Sequence, residues 1–314
     1  MSSIRPAQVV TPAFNPFDLD QDQAYRIWRD WKLEHAPTRL EQLLVEVRDP
    51  ARLTPAESLA ILGRCTHTNM ALYACDPGPE QNKDIPRAIG QAFGLERLDH
   101  NLLADEDAIT SLTVNDVGEH PHYIPYTNLP IQWHTDGYYN APDQQVRGLI
   151  LHCVHPAAAG GANDLLDHEL AYIYLRDANP DYIRALMQPD AMTIPARHDA
   201  HGIARAARSG PVFSVDPRHQ TLHMRYTARR RNVQWKADPL LEEARQRLRD
   251  LLDSDLPFIL RGRLERGMGL ICNNVLHTRR GFADYPGLPP RLLYRARFFD
   301  RIQGTRLDDL CNWR

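Results

Sequence analysis

The sequence predicts one mainly β domain, a double-sheet jelly roll decorated by helices. From about residue 108 to residue 299, short runs of β-branched or alternating apolar residues recur, and Pro, Gly or Asn bounds each of them. Helical patterns are confined to the first hundred residues and to two later inserts. Many short strands with few helices are typical of a jelly roll.

The composition excludes several classes of protein. The chain has 314 residues, enough for one large domain or two modest ones. Hydrophobic residues make up 43% and charged residues 25%, which is ordinary for a globular protein. With 37 basic and 40 acidic residues, the net charge of −3 gives no electrostatic footprint for nucleic-acid binding. No run approaches the ~18 consecutive apolar residues that a membrane span needs.

The N-terminal residues and the cysteines predict a cytoplasmic protein. The opening residues contain no apolar stretch long enough for a signal peptide. The five cysteines are odd in number and form no CxxC pair. We therefore expect free thiols rather than a disulfide framework or a structural zinc knuckle.

The chain divides into an arm and a single domain. Residues 1–45 are predicted to form an N-terminal arm that packs on the core, and an amphipathic helix is expected within it. Residues 46–314 are predicted to form one domain with helical inserts at about 167–187 and 238–253. No internal repeat and no linker separates a further domain. The strand-like runs begin at about residues 108, 146, 162, 191, 210, 221, 258, 269 and 291.

Two helices are expected before the strands begin. The Thr54 hydroxyl can cap a helix that starts at Pro55, and Glu57 completes a capping box. A second helical segment follows Pro86 and extends to about Leu98.

The segment NLPIQWHTDGYYN contains the first residues with metal chemistry. His134 and Asp136 stand two residues apart, so on a strand both side chains would point to one face. An HxD pair alone is weak evidence. The segment GLICNNVLHTRRGF adds His277 at the end of an apolar strand. Two histidines and one carboxylate form the facial triad of non-haem Fe(II) oxygenases.

Two arginines follow this second histidine. Arg291 and Arg295 lie four residues apart, on one face of the strand-like run PRLLYRARFF. A guanidinium group binds a carboxylate in a bidentate manner. An arginine behind the metal therefore suits the distal carboxylate of a chelating 2-oxo acid.

The motifs WHTDG, LHC, GGANDLLDH, NNVLHTRRGF and PRLLYRARF follow one another over about residues 110–300. In order and spacing they resemble the Fe(II)/2-oxoglutarate dioxygenases of the taurine dioxygenase-like (TauD/TfdA) family. The phrase HTDGYYN followed by GLILHC is also similar to the γ-butyrobetaine hydroxylase branch. The resemblance implies a double-stranded β-helix, which is a cupin-like jelly roll, and it admits a homo-oligomer.

The resemblance also implies the roles of individual residues. It implies that Fe(II) is held by His134, Asp136 and His277. Arg291 best fits the arginine that anchors 2-oxoglutarate, and Arg295 fits a second arginine near the co-substrate or an anionic substrate. The family places a threonine after the paired glycines to help hold oxoglutarate. This chain has Asn163 there instead, and an amide can also donate a hydrogen bond.

Side chains that flank the metal motif are candidates for contacting the substrate. They are Tyr138, Tyr139, Gln132, Asn140 and Tyr126. The tyrosines could form an aromatic wall or simply belong to the core. The basic run Arg229–Arg231 allows an anion-binding interpretation, and a solvated loop or edge is the alternative.

The sequence therefore predicts an oxygenase that uses Fe(II), 2-oxoglutarate and O2, with ascorbate as an assisting reductant. The expected reaction hydroxylates an unactivated C–H bond of a small molecule and gives succinate and CO2. Two alternatives stay open: a catalytically silent metal-binding jelly roll that acts as a sensor or scaffold, and a Zn-dependent hydrolase.

Overall fold

Two sheets face each other across an apolar layer, as the jelly-roll prediction requires. The computed structural model describes residues 14–76, 78, 81–100, 105, 107–115, 123–199, 202–229, 231 and 233–307. The shared layer takes side chains from both sheets, among them Leu151 and Leu293 from one and Leu165 and Leu260 from the other. The fold class predicted from the strand pattern is confirmed.

The larger sheet has six strands and is mostly antiparallel. Its spatial order is β1-β2-β16-β5-β19-β3, and only β1 and β2 run parallel. The strands are β1 (Leu44–Glu46), β2 (Met70–Ala74), β3 (Thr110–Leu112), β5 (Gly148–His155), β16 (Met268–Cys272) and β19 (Leu292–Phe298). β1 and β2 were not predicted from the sequence, because they lie among the helices of the N-terminal part.

The smaller sheet has four strands and contains the predicted metal ligands His134 and His277. Its spatial order is β15-β7-β17-β4. The strands are β4 (Ile131–His134), β7 (Asn163–Leu166), β15 (Leu260–Gly262) and β17 (Leu276–Arg279). The run GLICNNVLH is thus split between the two sheets, and Asn273–Val275 make the crossing.

Among the described residues, nine shorter strands form small sheets beside these two. They are β6 (Ala159–Gly160), β8 (Met192–Ile194), β9 (Arg197–Asp199), β10 (Gly202–Arg205), β11 (Arg208–Gly210), β12 (Phe213–Asp216), β13 (Thr221–Met224), β14 (Gln234–Trp235) and β18 (Phe282–Ala283). β8 lies between β11 and β14 and pairs with both of them. β9 pairs with β10, and β12 pairs with β13. The strand-like runs at 191, 210 and 221 therefore extend neither main sheet.

In the described part of the chain, six α-helices surround the sheets. They are α1 (Asp22–Glu34), α2 (Pro55–Thr68), α3 (Asp84–Ala92), α4 (His168–Ala178), α5 (Pro180–Leu186) and α6 (Pro239–Leu252). The Thr54 hydroxyl accepts from the Glu57 amide, as the capping box predicts. α3 ends at Ala92 rather than near Leu98, and Pro180 divides the first insert into two helices. None of the helices in these described ranges has the length and apolar character that crossing a membrane requires.

The N-terminal helix α1 is held to α4 by a buried charge cluster. Lys32 is 1% exposed, and its Nζ lies 2.8 Å from Asp167 Oδ2 and 2.5 Å from Glu169 Oε2. Asp167 is also the N-cap of α4 and accepts a hydrogen bond from Asn69 Nδ2 at 2.9 Å. Burial lowers the pKa of Lys32, but the two carboxylates outweigh burial and raise it above the usual value. The cluster therefore stays charged inside the protein.

We expect Lys32→Met to lower the free energy of unfolding by about 3–5 kcal/mol, because it leaves two buried carboxylates without their cation. Arg26→Met is the matched control on the same helix, since Arg26 pairs only at the surface with Asp22. The control should cost less than about 1 kcal/mol. Urea unfolding of both variants measures the difference. Equal losses would show that Lys32 contributes no more than an exposed pair.

Candidate metal centre

Strand pairing brings the two predicted metal-ligand histidines together. β17 pairs with β4 in antiparallel register, and His277 lies directly opposite His134. The two imidazole ring centroids are 4.2 Å apart. On its other edge, His134 pairs with Thr227, so the strand that carries it has a neighbour on each side. The backbone around the site is thereby fixed.

Hydrogen bonds set the tautomer of both histidines. Nδ1 of His134 lies 2.9 Å from the carbonyl of Gln132, and Nδ1 of His277 lies 3.0 Å from the carbonyl of Val275. Because a carbonyl can only accept, Nδ1 carries the proton in each ring. Nε2 of each histidine then keeps a lone pair for a metal ion. Burial, followed by neighbouring His134, lowers the pKa of His277 to about 4, which keeps that ring neutral.

Asp136 completes the cluster from a turn rather than from a strand. β4 ends at His134, so the expectation that His134 and Asp136 share a strand is wrong. Asp136 Oδ1 nevertheless lies 3.5 Å from Nε2 of His134 and 3.9 Å from Nε2 of His277. The turn requires Gly137, whose φ is +69° and where a Cβ would lie 2.5 Å from the Val146 side chain.

Asn274 holds the Asp136 turn in place, and sequence reasoning missed it. Its Oδ1 accepts from the Asp136 amide at 2.8 Å. Its Nδ2 donates to the Asp136 carbonyl at 2.9 Å and to the Val146 carbonyl at 2.7 Å. Asn274 has a φ of +53°, a conformation that asparagine tolerates better than most residues. The doubled asparagine in ICNNVLH is the signal that could have pointed to it.

The cluster fits a divalent cation. The ligand atoms of His134, Asp136 and His277 all lie within 4.8 Å of one another. Burial raises the pKa of Asp136, but Arg295, His134, Arg297 and His277 outweigh it and hold that pKa well below the usual value. Within the described residues, Asp136 Oδ2 is buried without a hydrogen-bond partner. Two imidazole nitrogens and one carboxylate on one side of a metal ion leave its other coordination positions open to further ligands.

Of the arginines near this cluster, Arg279 binds mainly to a neighbouring loop. Its guanidinium donates to backbone carbonyls at 2.6–3.1 Å, those of Ile124, Pro125, Thr127 and Leu129. Burial, with Arg291 and Arg295 nearby, lowers the pKa of Arg279 to about 9. Arg279 therefore fixes a loop with its two terminal nitrogens, and among the described residues only its buried Nε has no partner.

Arg291 is buried and only partly satisfied. Within the part of the chain described, its Nη1 has no hydrogen-bond partner, and its guanidinium carbon lies 4.8 Å from the Phe282 ring centroid. The Gly161 backbone passes beside it, because a Cβ there would lie 3.7 Å from Nε. Burial lowers the pKa of Arg291. A buried cation with a donor to spare is costly unless an anion joins it.

Arg295 contacts the cluster directly. Its Nη1 lies 3.3 Å from Asp136 Oδ2, and it shares the inward face of β19 with Leu293. Arg297 lies on the same face and was missed by the sequence analysis. It donates to the Tyr139 hydroxyl at 2.7 Å and pairs with Asp99 at 2.6 Å. Arg297 stands two residues after Arg295, and this alternation along the strand is the signal that could have pointed to it.

The other side chains predicted to contact the substrate or oxoglutarate have different surroundings. Gln132 is exposed on β4, and Asn140 donates to Asp99 at 3.2 Å and to the Gln144 carbonyl at 3.0 Å. Tyr126 is buried in the layer between the sheets. Tyr138 and Tyr139 contact each other edge to face, with centroids 5.2 Å apart. Asn163 already donates to the Thr278 carbonyl at 2.6 Å.

The run Arg229–Arg231 is only partly described, since Arg230 lies outside the described residues. Arg231 is exposed, as expected of a solvated edge. Arg229 is half-buried, and its Nη1 donates to the Tyr138 hydroxyl at 3.4 Å. One end of the run thus reaches the metal centre.

Comparison with protein families identifies the chain. Residues 45–297 match the profile of the family described as "Taurine catabolism dioxygenase TauD, TfdA family". The chain belongs to the TauD/TfdA family. A taurine dioxygenase from Burkholderia xenovorans shares the fold of this TauD/TfdA protein, with a TM-score of 0.53 at 18% sequence identity. The similarity covers 82% of this chain and 86% of that structure.

Two curated relatives of this TauD/TfdA protein are similar over most of its length. A uridine-5′-phosphate dioxygenase from Amycolatopsis is 28% identical over 79% of this chain and 93% of its own. A uridine-5′-phosphate dioxygenase from Streptomyces is 31% identical over 67% of this chain and 76% of its own. These relatives do not confirm the similarity to the γ-butyrobetaine hydroxylase branch.

The predicted class of enzyme is confirmed. The protein is an Fe(II)- and 2-oxoglutarate-dependent dioxygenase that acts on a small molecule. The zinc-hydrolase and silent-scaffold alternatives find no support in these relatives.

Proposed function

We propose that this dioxygenase oxidises a nucleoside 5′-monophosphate, with uridine-5′-phosphate as the first candidate, and that the residues assigned from the sequence hold its iron and oxoglutarate. The substrate proposal is supported by the two uridine-5′-phosphate dioxygenases that resemble most of the chain. Hydroxylation of a C–H bond, with succinate and CO2 as co-products, is the expected outcome.

His134, Asp136 and His277 are the proposed iron ligands. Iron with oxoglutarate and O2 supplies the oxidising power for C–H hydroxylation. The protein holds both imidazoles in the ligand tautomer through the carbonyls of Gln132 and Val275. It keeps Asp136 ionised through Arg295 and fixes its backbone through Asn274.

Arg291 is the proposed oxoglutarate anchor. The assignment is supported by its place in the strand-like run after His277 and by its buried terminal Nη1, which has no partner among the described residues. Arg279, by contrast, directs both Nη1 and Nη2 to backbone carbonyls, and only its Nε has no partner among the described residues. Arg295 is a second candidate for the co-substrate or for the substrate. Asn163 stays a predicted contact whose amide can still offer its second hydrogen.

The predicted substrate contacts and the cellular setting are also proposals. Tyr138 and Tyr139 follow the metal motif and lie closest in the chain to Asp136. Asn140 is engaged with Asp99 and the Gln144 carbonyl, Gln132 is exposed and Tyr126 is buried between the sheets. We place the protein in the cytoplasm, because Cys65, Cys75, Cys153 and Cys272 are free thiols. A homo-oligomer stays a prediction.

Turnover with defined substrates tests this function. With Fe(II), 2-oxoglutarate, O2 and ascorbate, we expect succinate to form in step with the consumption of uridine-5′-phosphate. Uridine and taurine serve as controls and should give only the slow, uncoupled background. Succinate release that follows taurine instead, or that no nucleotide stimulates, would rule out the proposed substrate while leaving the class of enzyme intact.

A further inference from the structure

Arg229 reaches the metal centre because its segment pairs with the strand that bears His134. The Thr135 amide donates to the Tyr226 carbonyl at 3.0 Å, and the Ala228 amide donates to the Trp133 carbonyl at 2.8 Å. Thr227 therefore lies opposite His134. Arg229 follows two residues later on the same segment, so tertiary pairing places this cation beside the site rather than in a solvated loop.

The Tyr138 hydroxyl is the partner of Arg229 at the site. Nη1 of Arg229 donates to it at 3.4 Å, and both side chains are half-buried. In the described part of the chain, no carboxylate lies within ion-pairing distance of Arg229, although 4.0 Å would suffice. A half-buried guanidinium whose side-chain partner is neutral keeps an uncompensated charge. An anion from solution can supply the missing charge.

A second guanidinium group belongs to the β10–β11 segment, which Arg225 links to the Tyr138 backbone through the carbonyls of Tyr138 and Arg208. Arg205, at the end of β10, is half-buried and donates to the Pro195 carbonyl at 2.7 Å. Burial lowers the pKa of Arg205, as do neighbouring Arg208 and Arg197, whereas Tyr138 and Tyr139 act in the opposite direction. Among the described residues, Arg205 also has no carboxylate within ion-pairing distance. Arg205 and Arg229 thus both lack a carboxylate partner among the described residues.

Arg225 connects these parts through hydrogen bonds to backbone carbonyls. Its Nε donates to the Tyr138 carbonyl at 2.7 Å. Its Nη1 donates to the Met192 carbonyl at 2.9 Å, and its Nη2 donates to the Arg208 carbonyl at 2.9 Å. Arg225 is buried, so these bonds tie the turn after Asp136 firmly to β8 and β11. The cations around Tyr138 are therefore presented from a fixed scaffold.

We propose that Arg229, Arg205 and the Tyr138 hydroxyl form a subsite for the phosphate group of a phosphomonoester substrate. A phosphomonoester carries about −1.5 to −2 charges at neutral pH and three terminal oxygens. Two guanidinium groups and one hydroxyl match that charge and that number of acceptors. The subsite is separate from Arg291, which is assigned to oxoglutarate. The inference rests on the proposed function for the nucleoside part of the substrate only.

Binding measurements under anaerobic conditions test the subsite apart from turnover. The Fe(II)- and oxoglutarate-loaded protein is titrated calorimetrically with uridine-5′-phosphate, with uridine and with ribose 5-phosphate. We expect wild type to bind uridine-5′-phosphate at least about 10-fold more tightly than uridine. Arg229→Gln should weaken binding of both phosphate esters about 10- to 100-fold and leave uridine and oxoglutarate unchanged. Arg229→Lys should restore part of the loss.

Arg231→Gln is the matched control, because it removes an exposed charge from the same run. It should bind all three compounds as wild type does. Wild-type affinity for uridine-5′-phosphate in both Arg229→Gln and Arg205→Gln would overturn the subsite and leave the proposed function standing. If wild type does not distinguish uridine-5′-phosphate from uridine, the nucleotide proposal fails, and ribose 5-phosphate decides the subsite. Weaker binding of ribose 5-phosphate by Arg229→Gln then supports it, and unchanged binding overturns it.

Discussion

Asp136→Ala is expected to abolish turnover and to lower Fe(II) affinity by more than about 100-fold, the upper end of what loss of an outer hydrogen-bond partner costs. The substitution removes the only carboxylate of the cluster formed with His134 and His277 in the described residues. It also leaves Arg295 beside two histidines with no carboxylate between them, a poor setting for a cation. Metal content after anaerobic loading and gel filtration measures the loss.

Asp143→Ala is the control for this experiment. Asp143 lies seven residues further along and is exposed, so its removal should change neither iron content nor turnover. Circular dichroism should show the same fold in wild type and both variants, because the turn that bears Asp136 is held through its backbone by Asn274. If Asp136→Ala and His134→Ala both retained iron, the metal ligands would have to be sought elsewhere.

Arg291→Gln is expected to weaken 2-oxoglutarate binding by about 100-fold with iron still bound, because it removes charge-assisted hydrogen bonds to the distal carboxylate. Anaerobic titration of the Fe(II) protein with oxoglutarate measures this through the weak visible charge-transfer band of the chelate. Wild type should give a band that saturates. The variant should give the same band at much higher oxoglutarate concentration.

The stability of the same variant gives a second readout. Wild type buries a guanidinium whose Nη1 lacks a partner among the described residues, which is costly in the absence of oxoglutarate. Arg291→Gln should therefore melt at the same temperature as wild type or higher, whereas loss of a purely structural arginine would lower it. Arg295→Gln is the comparison, because Arg295 touches Asp136 and should alter iron binding as well. Unchanged oxoglutarate affinity in Arg291→Gln would transfer the anchor role to Arg295.

Local chemistry explains which features were predictable. The Thr54 cap, the helices near residues 24–35 and 238–253, and the strand that carries Arg295 all follow from patterns a few residues long, and the structure contains each of them. β1 and β2 lack such a signal. The end of β4 at His134 was also not predicted. The turn that follows it needs glycine at position 137, because Val146 leaves no space there for a side chain.

The sequence by itself determined the family, the fold class and the residue types that can hold iron. These depend on the order and spacing of short motifs, which can be read directly along the chain. Only the tertiary structure decided which cations are available at the site. It directs the terminal nitrogens of Arg279 and Arg225 to backbone carbonyls and leaves Nη1 of Arg291 without a partner among the described residues. It also carries Arg229 to the metal centre by pairing Thr227 with His134. These outcomes depend on contacts between distant segments, which no local periodicity records.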